Sequence, residues 1–323
     1  MLQQTQVTTV LSYYARFLVR FPEVADLARA HADEVMAMWS GLGYYSRARN
    51  MHRCAQDVVA LHGNKFPETA ELLKNLPGIG PSTAAAIASF CFGERVAIFD
   101  GNVKRVLTRV LGFDEDLAVG GHEKKLLLIA SRLLPENDLK KTMPRYTQGV
   151  MDLGATLCVP RKPQCLICPV SDMCKGFAAG NPEKYPVKTK KLNRSALRLS
   201  LLWAQRPDGS VWLERRPATG IWGGLYCLPV FDSEESLLTY LPEPIRLHIE
   251  RLATFKHVLT HKDMYLSPLA VQFKSDQHMP IASQEVQADV KADMNAVVKA
   301  RWYPAHEWAQ LGLPSPIRRL LES

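Results

Sequence analysis

The sequence predicts two domains of different class: an all-α domain over residues 1–175 and an α+β domain over residues 196–323, joined by a basic linker at 176–195. Three observations carry this. Apolar residues recur at helical spacing through residues 1–157, with no convincing alternating stretch. Four of the seven cysteines then fall within 17 residues, at Cys158, Cys165, Cys168 and Cys174. Past residue 195 the pattern changes to short alternating runs divided by turn residues. A chain of 323 residues has room for two such domains.

Val7, Val10, Leu11, Tyr14, Phe17 and Leu18 mark a first helix that Phe21-Pro22 ends. No cap precedes it, so the natural helix is expected to begin upstream of Met1. Short helices follow near Val24–Arg29 and Asp33–Trp39, the latter stopping at Gly41-Leu42-Gly43. Tyr44–Arg49 opens a helix that runs to Gly63, and Thr69–Asn75 leads into a glycine turn, Leu76-Pro77-Gly78-Ile79-Gly80-Pro81-Ser82-Thr83. An Ala-rich apolar run comes next, then helices near Asn102–Leu111, Glu123–Leu134 and Arg145–Leu157. In the second domain Ala196–Gln205 and Val211–Arg215 flank Pro207-Asp208-Gly209-Ser210, a strand–turn–strand pattern. Ser233–Tyr240 reads as helix, Met264–Phe273 as strand and Pro314–Leu321 as a closing helix.

A hydrophobic fraction of 47% and a charged fraction of 22% are those of a soluble globular protein. No apolar run approaches a membrane span and no secretory leader is visible, so a cytoplasmic monomer away from membranes is expected. The net charge of +8 is unevenly spread: +4 on residues 1–175, +5 on 176–198 and −1 on 199–323. That favours a polyanionic partner for the first domain, with nucleic acid foremost; charge serving solubility is the alternative.

Three features could carry chemistry. The Gly78/Gly80 turn opens a helix whose first amides suit a phosphate, though a plain connection using glycine for positive φ would look the same. Asp100, before Gly101-Asn102, reads first as a helix N-cap; its carboxylate could also stabilise a cation, with Lys104 and Arg105 gripping the flanking backbone. The cysteines, spaced Cys-x6-Cys-x2-Cys-x5-Cys, point to a tetrathiolate site. Only one Cys-x2-Cys knuckle is present, which fits one loop around an iron–sulfur cluster better than zinc, without excluding zinc.

Together these segments resemble the MutY-type adenine DNA glycosylases of the helix–hairpin–helix, endonuclease III superfamily. The matching text is Met1–Val7 (Met-Leu-Gln-Gln-Thr-Gln-Val), Gly41–Asn50, Leu76–Thr83, Asp100–Arg105, Met151–Ala155, the four cysteines and Trp222–Tyr226, so the resemblance spans the chain. It implies removal of adenine paired with 8-oxoguanine or guanine in double-stranded DNA, after the base is flipped out. It implies that Asp100 is the catalytic carboxylate, with Asn102 positioned beside it. Gly78, Gly80 and Ser82 would hold the backbone, with a monovalent cation at the hairpin. Tyr44 would wedge beside the lesion, Gln4 would fill the emptied stack, and Cys158, Cys165, Cys168 and Cys174 would hold a [4Fe–4S] cluster.

The bifunctional lyases of the superfamily carry a lysine where this chain has Ser82, which cannot form an imine; a monofunctional enzyme is expected. The second domain resembles a Nudix fold, but Glu234-Glu235 lacks the dense acidic spacing of a pyrophosphohydrolase, so a lesion reader is expected there. Its recognition loop aligns with Leu259-Thr260-His261, where Thr260 keeps a hydroxyl and Leu259 replaces an aromatic ring. The family's proton-donating Glu precedes the position of Met1 by two residues. The expectation is a longer natural chain with full activity; the alternatives are a chain that binds lesion DNA without excising the base and, from another class, a nucleotide pyrophosphohydrolase.

Overall fold

The computed structural model describes residues 1–2, 5, 7–189, 194–274, 279 and 300–323; Gln4 lies outside them. It falls into two compact units, residues 1–56 with 192–323 and residues 57–191. The expected architectures hold, helical then mixed α/β. Packing, however, groups the first 56 residues with the sheet rather than with the rest of the helical region.

In the first unit, α1 (Val7–Arg20), α2 (Val24–Arg29), α3 (Ala32–Trp39) and the start of α4 (Ser46–His62) pack on one face of an eight-stranded sheet. The central strands, β1 (Ser195–Gln205) and β7 (Lys262–Gln272), run parallel in register from Ser195 opposite Lys262 to Gln205 opposite Gln272. β2 (Val211–Arg215) pairs with β1, β3 (Tyr226–Cys227) and β8 (Ala300–Tyr303); β4 (Val230–Phe231) pairs with β1, and β5 (Glu250–Arg251) and β6 (Phe255–Val258) pair with β7. Successive β1 side chains alternate between two cores, as a strand covered on both faces requires. Leu201 and its even-spaced neighbours Leu199 and Leu197 meet Phe17, Val35, Met36 and Trp39 from the helices. Leu202 and Ala204 meet Leu237 and Leu241, near the helix at Glu234–Tyr240.

Of the six apolar positions that announced α1, Val10 and Phe17 are buried here, whereas Val7, Leu11, Tyr14 and Leu18 are exposed. Polar bonds reinforce the packed face. Ser40 Oγ and Tyr45 Oη both donate to Leu313 O, at 3.0 and 3.1 Å, and Arg215 pairs with Asp33 at 2.9 Å. At Gly312 a Cβ would lie 3.0 Å from Met36 Cβ and 3.2 Å from Leu225 Cδ2. Gly312→Val is therefore expected to overpack this face and lower stability by about 1–3 kcal/mol, read as a lower urea midpoint.

The second unit is helical. Its elements are α5 (Ala70–Leu73), α6 (Pro81–Ile87) continued by a wider turn over Ala88–Phe92, α7 (Gly101–Leu111), α8 (Gly120–Arg132), α9 (Leu139–Thr156) and α10 (Lys175–Ala178). Leu126, Met143, Val103 and Leu107 centre its core. α9 begins six residues before the sequence pattern suggested, accommodating Pro144 inside its first turns. Gly154 of α9 faces α7: a Cβ there would sit 2.9 Å from Asn102 Cβ. The glycine of the Met151–Ala155 motif is thus what lets α9 approach the start of α7.

The expected linker at 176–195 is not a linker through its length. Leu117 N–H donates to Val187 O at 3.0 Å, Thr189 Oγ1 bonds Asp116, and Lys162 N–H donates to Glu183 Oε1 at 2.9 Å. These bonds seat residues 182–189 on the helical unit, and Ser195 already belongs to β1.

Candidate active site and DNA interface

The glycine turn forms as its residues dictate. Gly78 takes φ of 77°, a left-handed value that favours glycine, and Ile79 N–H closes the turn on Leu76 O at 3.1 Å. Gly80 is the N-cap of α6, Pro81 fills its first position, and Ser82 follows in the first turn. Gly78 and Gly80 are exposed, with open space where a Gly80 Cβ would project. The Ser82 amide, in the first turn of α6, has no carbonyl ahead of it in the helix, so an anion can approach it.

Asp100 caps α7: its Oδ1 accepts from Val103 N–H at 2.8 Å. Among the described residues Oδ2 accepts no hydrogen bond, leaving half of the carboxylate available beyond the helix end. Both readings of this residue are therefore compatible in geometry, since the cap uses one oxygen. Lys104 pairs with Glu123 and lies 4.8 Å over the Phe99 ring, so its charge is partly spent within the protein.

Arg105 departs from expectation. The residue is 9% exposed, and its guanidinium donates to Asn102 Oδ1 at 2.9 Å, Gly154 O at 2.7 Å and Cys158 O at 2.8 Å. Burial lowers its pKa, an effect that Cys158 opposes. A side chain committed to three protein acceptors has no fork left for phosphate, so the backbone-gripping role expected of Arg105 is withdrawn. What it does is connect the Asp100–Asn102 turn to the first cysteine.

One turn on, Arg109 is the residue sequence reasoning missed. It is 1% exposed and donates to Tyr185 O at 3.2 Å, Val159 O at 2.8 Å, Pro160 O at 3.0 Å and Cys158 Sγ at 3.3 Å. The available signal was its spacing of four from Arg105, on the helix face where Val106 is also buried.

Cys158, Cys165, Cys168 and Cys174 line one small pocket, otherwise walled mainly by apolar side chains such as Val106, Leu153, Leu157 and Phe177. Short turns at Cys165–Ile167 and Ser171–Met173 present the sulfurs. Burial, then the neighbouring Cys158, Cys174 and Cys168, push the Cys165 thiol up, and the Arg109 cation opposes them. Among the described residues no three His, Cys, Asp or Glu side chains converge for a single metal ion. Four cysteines around one apolar pocket, with Arg109 Nη1 3.3 Å from Cys158 Sγ, make a thiolate-rich site whose donor set suits an iron–sulfur cluster.

In the other unit, Tyr44 has φ of 49° and is exposed. The Arg47 guanidinium lies 5.1 Å over its ring and 5.5 Å over Trp39, and donates to Met1 O at 2.8 Å and Gly43 O at 3.2 Å, which holds the loop. Tyr44 Oη and Thr260 Oγ1 share a 2.8 Å hydrogen bond. Two residues that the resemblance assigns to the lesion, 216 positions apart, thus meet. Thr260 and His261 are the exposed tip of the turn between β6 and β7, and Leu259 turns inward against the core. His257 of β6 has its ring 6.1 Å from Trp222; burial, then Arg319, lower its pKa. Glu234, at the start of its helix, accepts from Arg251 Nε of β5 at 2.7 Å.

Family models match this chain in three places: an HhH-GPD superfamily base excision DNA repair protein over residues 1–131, the iron–sulfur binding domain of endonuclease III over 158–174, and a NUDIX domain over 201–323. The hairpin, the capped Asp100 and the sulfur-rimmed cavity therefore belong to a base excision repair protein with an iron–sulfur domain. Adenine DNA glycosylase of Buchnera aphidicola (subsp. Acyrthosiphon pisum) is 32% identical over 326 residues, covering 100% of this chain and 87% of the relative. The human adenine DNA glycosylase is 43% identical over 176 residues, 54% of this chain and 32% of that protein. The chain belongs to the adenine DNA glycosylase family. Among solved structures, a thermostable thymine-DNA glycosylase matches with a TM-score of 0.47 and 27% identity, over 55% of this chain and 80% of that one. No helix among the described residues is long and apolar enough to cross a membrane.

Proposed function

We propose that this protein is a monofunctional glycosylase that hydrolyses the N-glycosidic bond of adenine paired with 8-oxoguanine, or with guanine, in double-stranded DNA. The observation that carries the chemistry is the divided carboxylate of Asp100, one oxygen fixed by the Val103 amide and the other open. As the bond breaks, its electron pair leaves with adenine and positive charge grows on the sugar. An ionised carboxylate held in place by its own helix stabilises that charge without reorganising. Water then adds at C1′ and gives up a proton, while the departing adenine takes one. Asn102 stands beside Asp100, held by Arg105. The open Gly78–Gly80 turn, with a monovalent cation, would take a backbone phosphate, and Ser82 offers no amine for lyase chemistry.

Cys158, Cys165, Cys168 and Cys174 would hold a [4Fe–4S] cluster, which would balance the charge of the four thiolates and cross-link the loop. The Tyr44–Thr260 bond supports placing both side chains at the base opposite adenine, with His261 beside them.

Single-turnover release of adenine from an 8-oxoguanine:adenine duplex tests the reading, with a thymine:adenine duplex as the control. Release from the first and not from the second is expected. No release from either duplex overturns the proposal, and cleavage of the strand at the emptied sugar would overturn its monofunctional part.

A further inference from the structure

We infer that Arg194 and Ser195, where the chain enters the sheet, position the Thr260 turn and so set discrimination between 8-oxoguanine and guanine opposite adenine. This rests on the lesion-reading role proposed above for Thr260.

The turn has little to hold it by itself. Between Val258 and Asp263, the last paired residues of β6 and β7, a backbone bond runs from Leu259 N–H to Lys262 O at 2.8 Å, and the tip is exposed. A turn closed by a single bond can rock about its ends, which moves the tip side chain most. The two carbonyls that flank Thr260, those of Leu259 and His261, are both gripped from one neighbouring segment. Arg194 Nη2 donates to Leu259 O at 2.9 Å, and Ser195 N–H donates to His261 O at 3.1 Å. With both carbonyls held, the freedom of Thr260 between them is narrowed, and its hydroxyl sits 2.8 Å from Tyr44 Oη.

Asp263 aims the arginine. Its Oδ1 accepts from the same Nη2 of Arg194, and its Oδ2 pairs with Lys256 Nζ at 2.7 Å. The Lys256 and Arg194 hydrogen bonds hold the Asp263 carboxyl below its ordinary pKa, so it stays ionised as an acceptor at neutral pH. A guanidinium spans a carbonyl and a carboxylate with fixed geometry, which an ammonium does not.

Placement matters here because the two bases differ by little. Guanine presents an acceptor at N7, and 8-oxoguanine presents an N–H there and an oxygen at C8. A single hydroxyl separates them only if it is held at the right distance and angle. Arg194 touches neither base nor backbone in this scheme: it is a positioning residue.

Equilibrium binding separates positioning from general charge. Affinities are measured for two duplexes carrying 2′-fluoro-2′-deoxyadenosine, which resists cleavage, opposite 8-oxoguanine or guanine. The side chain of Arg194 is 43% exposed, so Arg194→Gln is expected to fold normally. It should narrow the wild-type preference for 8-oxoguanine by about three- to tenfold, with Arg194→Lys in between. Lys256→Gln removes the same charge from the same carboxylate but leaves the Leu259 carbonyl bonded; it should weaken both duplexes alike and keep the ratio. An unchanged ratio in Arg194→Gln, or equal losses on both duplexes in both Gln variants, overturns the inference. A wild-type protein with no preference between the duplexes would instead overturn the lesion-reading role itself.

Discussion

Asp100→Asn is expected to slow adenine release by about a thousandfold while leaving duplex affinity and fold nearly unchanged. Asparagine is as good an N-cap as aspartate, so the bond from Val103 N–H to the side-chain oxygen survives, and with it the start of α7. What disappears is the negative charge on the second oxygen. A neutral amide cannot offset the cation that develops as adenine departs. Asp100→Ala is the companion variant: it removes both charge and cap, costing about 1 kcal/mol of stability in addition to the rate. Single-turnover kinetics beside urea denaturation separate the two effects. An Asp100→Asn protein that releases adenine at the wild-type rate would reduce Asp100 to a cap.

The second large effect is expected at Arg109. Arg109→Leu should lower stability by about 3–5 kcal/mol and strip the protein of iron. The native side chain is buried and feeds the carbonyls of Tyr185, Val159 and Pro160 as well as Cys158 Sγ. Leucine fills part of the space but leaves those acceptors in a dry site without partners. It also frees the strand of chain that presents Cys158 and removes the cation nearest the thiolates. Iron per chain and urea midpoint should fall together. Arg109→Lys keeps the charge with fewer directed donors and should lie between. Full iron content and an unshifted midpoint in Arg109→Leu would show that the cysteine loop holds itself.

Residues whose role is set by their immediate neighbours were legible. The Asp100 cap follows from Asp-Gly-Asn ahead of an apolar-periodic helix, and the Gly78–Gly80 turn from its own glycines and Pro81. The strands at 195–205 and 262–272 showed through their length. β3, β4 and β5 are two residues each; they are strands only because a partner pairs with them, and no pattern of two residues can announce that. Arg105 illustrates the same limit in the site. An arginine five residues after a capping carboxylate looks alike whether it meets phosphate or carbonyl oxygen. The deciding acceptors, Gly154 O and Cys158 O, lie about fifty positions away. Gly154 was visible as part of a motif, but the reason for it, the side chain of Asn102, was not.

The shared core of residues 1–56 and the sheet has a practical consequence for dissecting the molecule. A boundary drawn where the helical pattern gives way to strands looks like a natural place to cut, because the composition changes there. Cutting there would part Phe17, Val35, Met36 and Trp39 from Leu201, Leu213, Met264 and Leu266. Each fragment would carry a large apolar surface into water, and such surfaces associate. A helical fragment prepared in that way is expected to self-associate, so a loss of activity in it would report on lost packing as much as on a missing lesion contact.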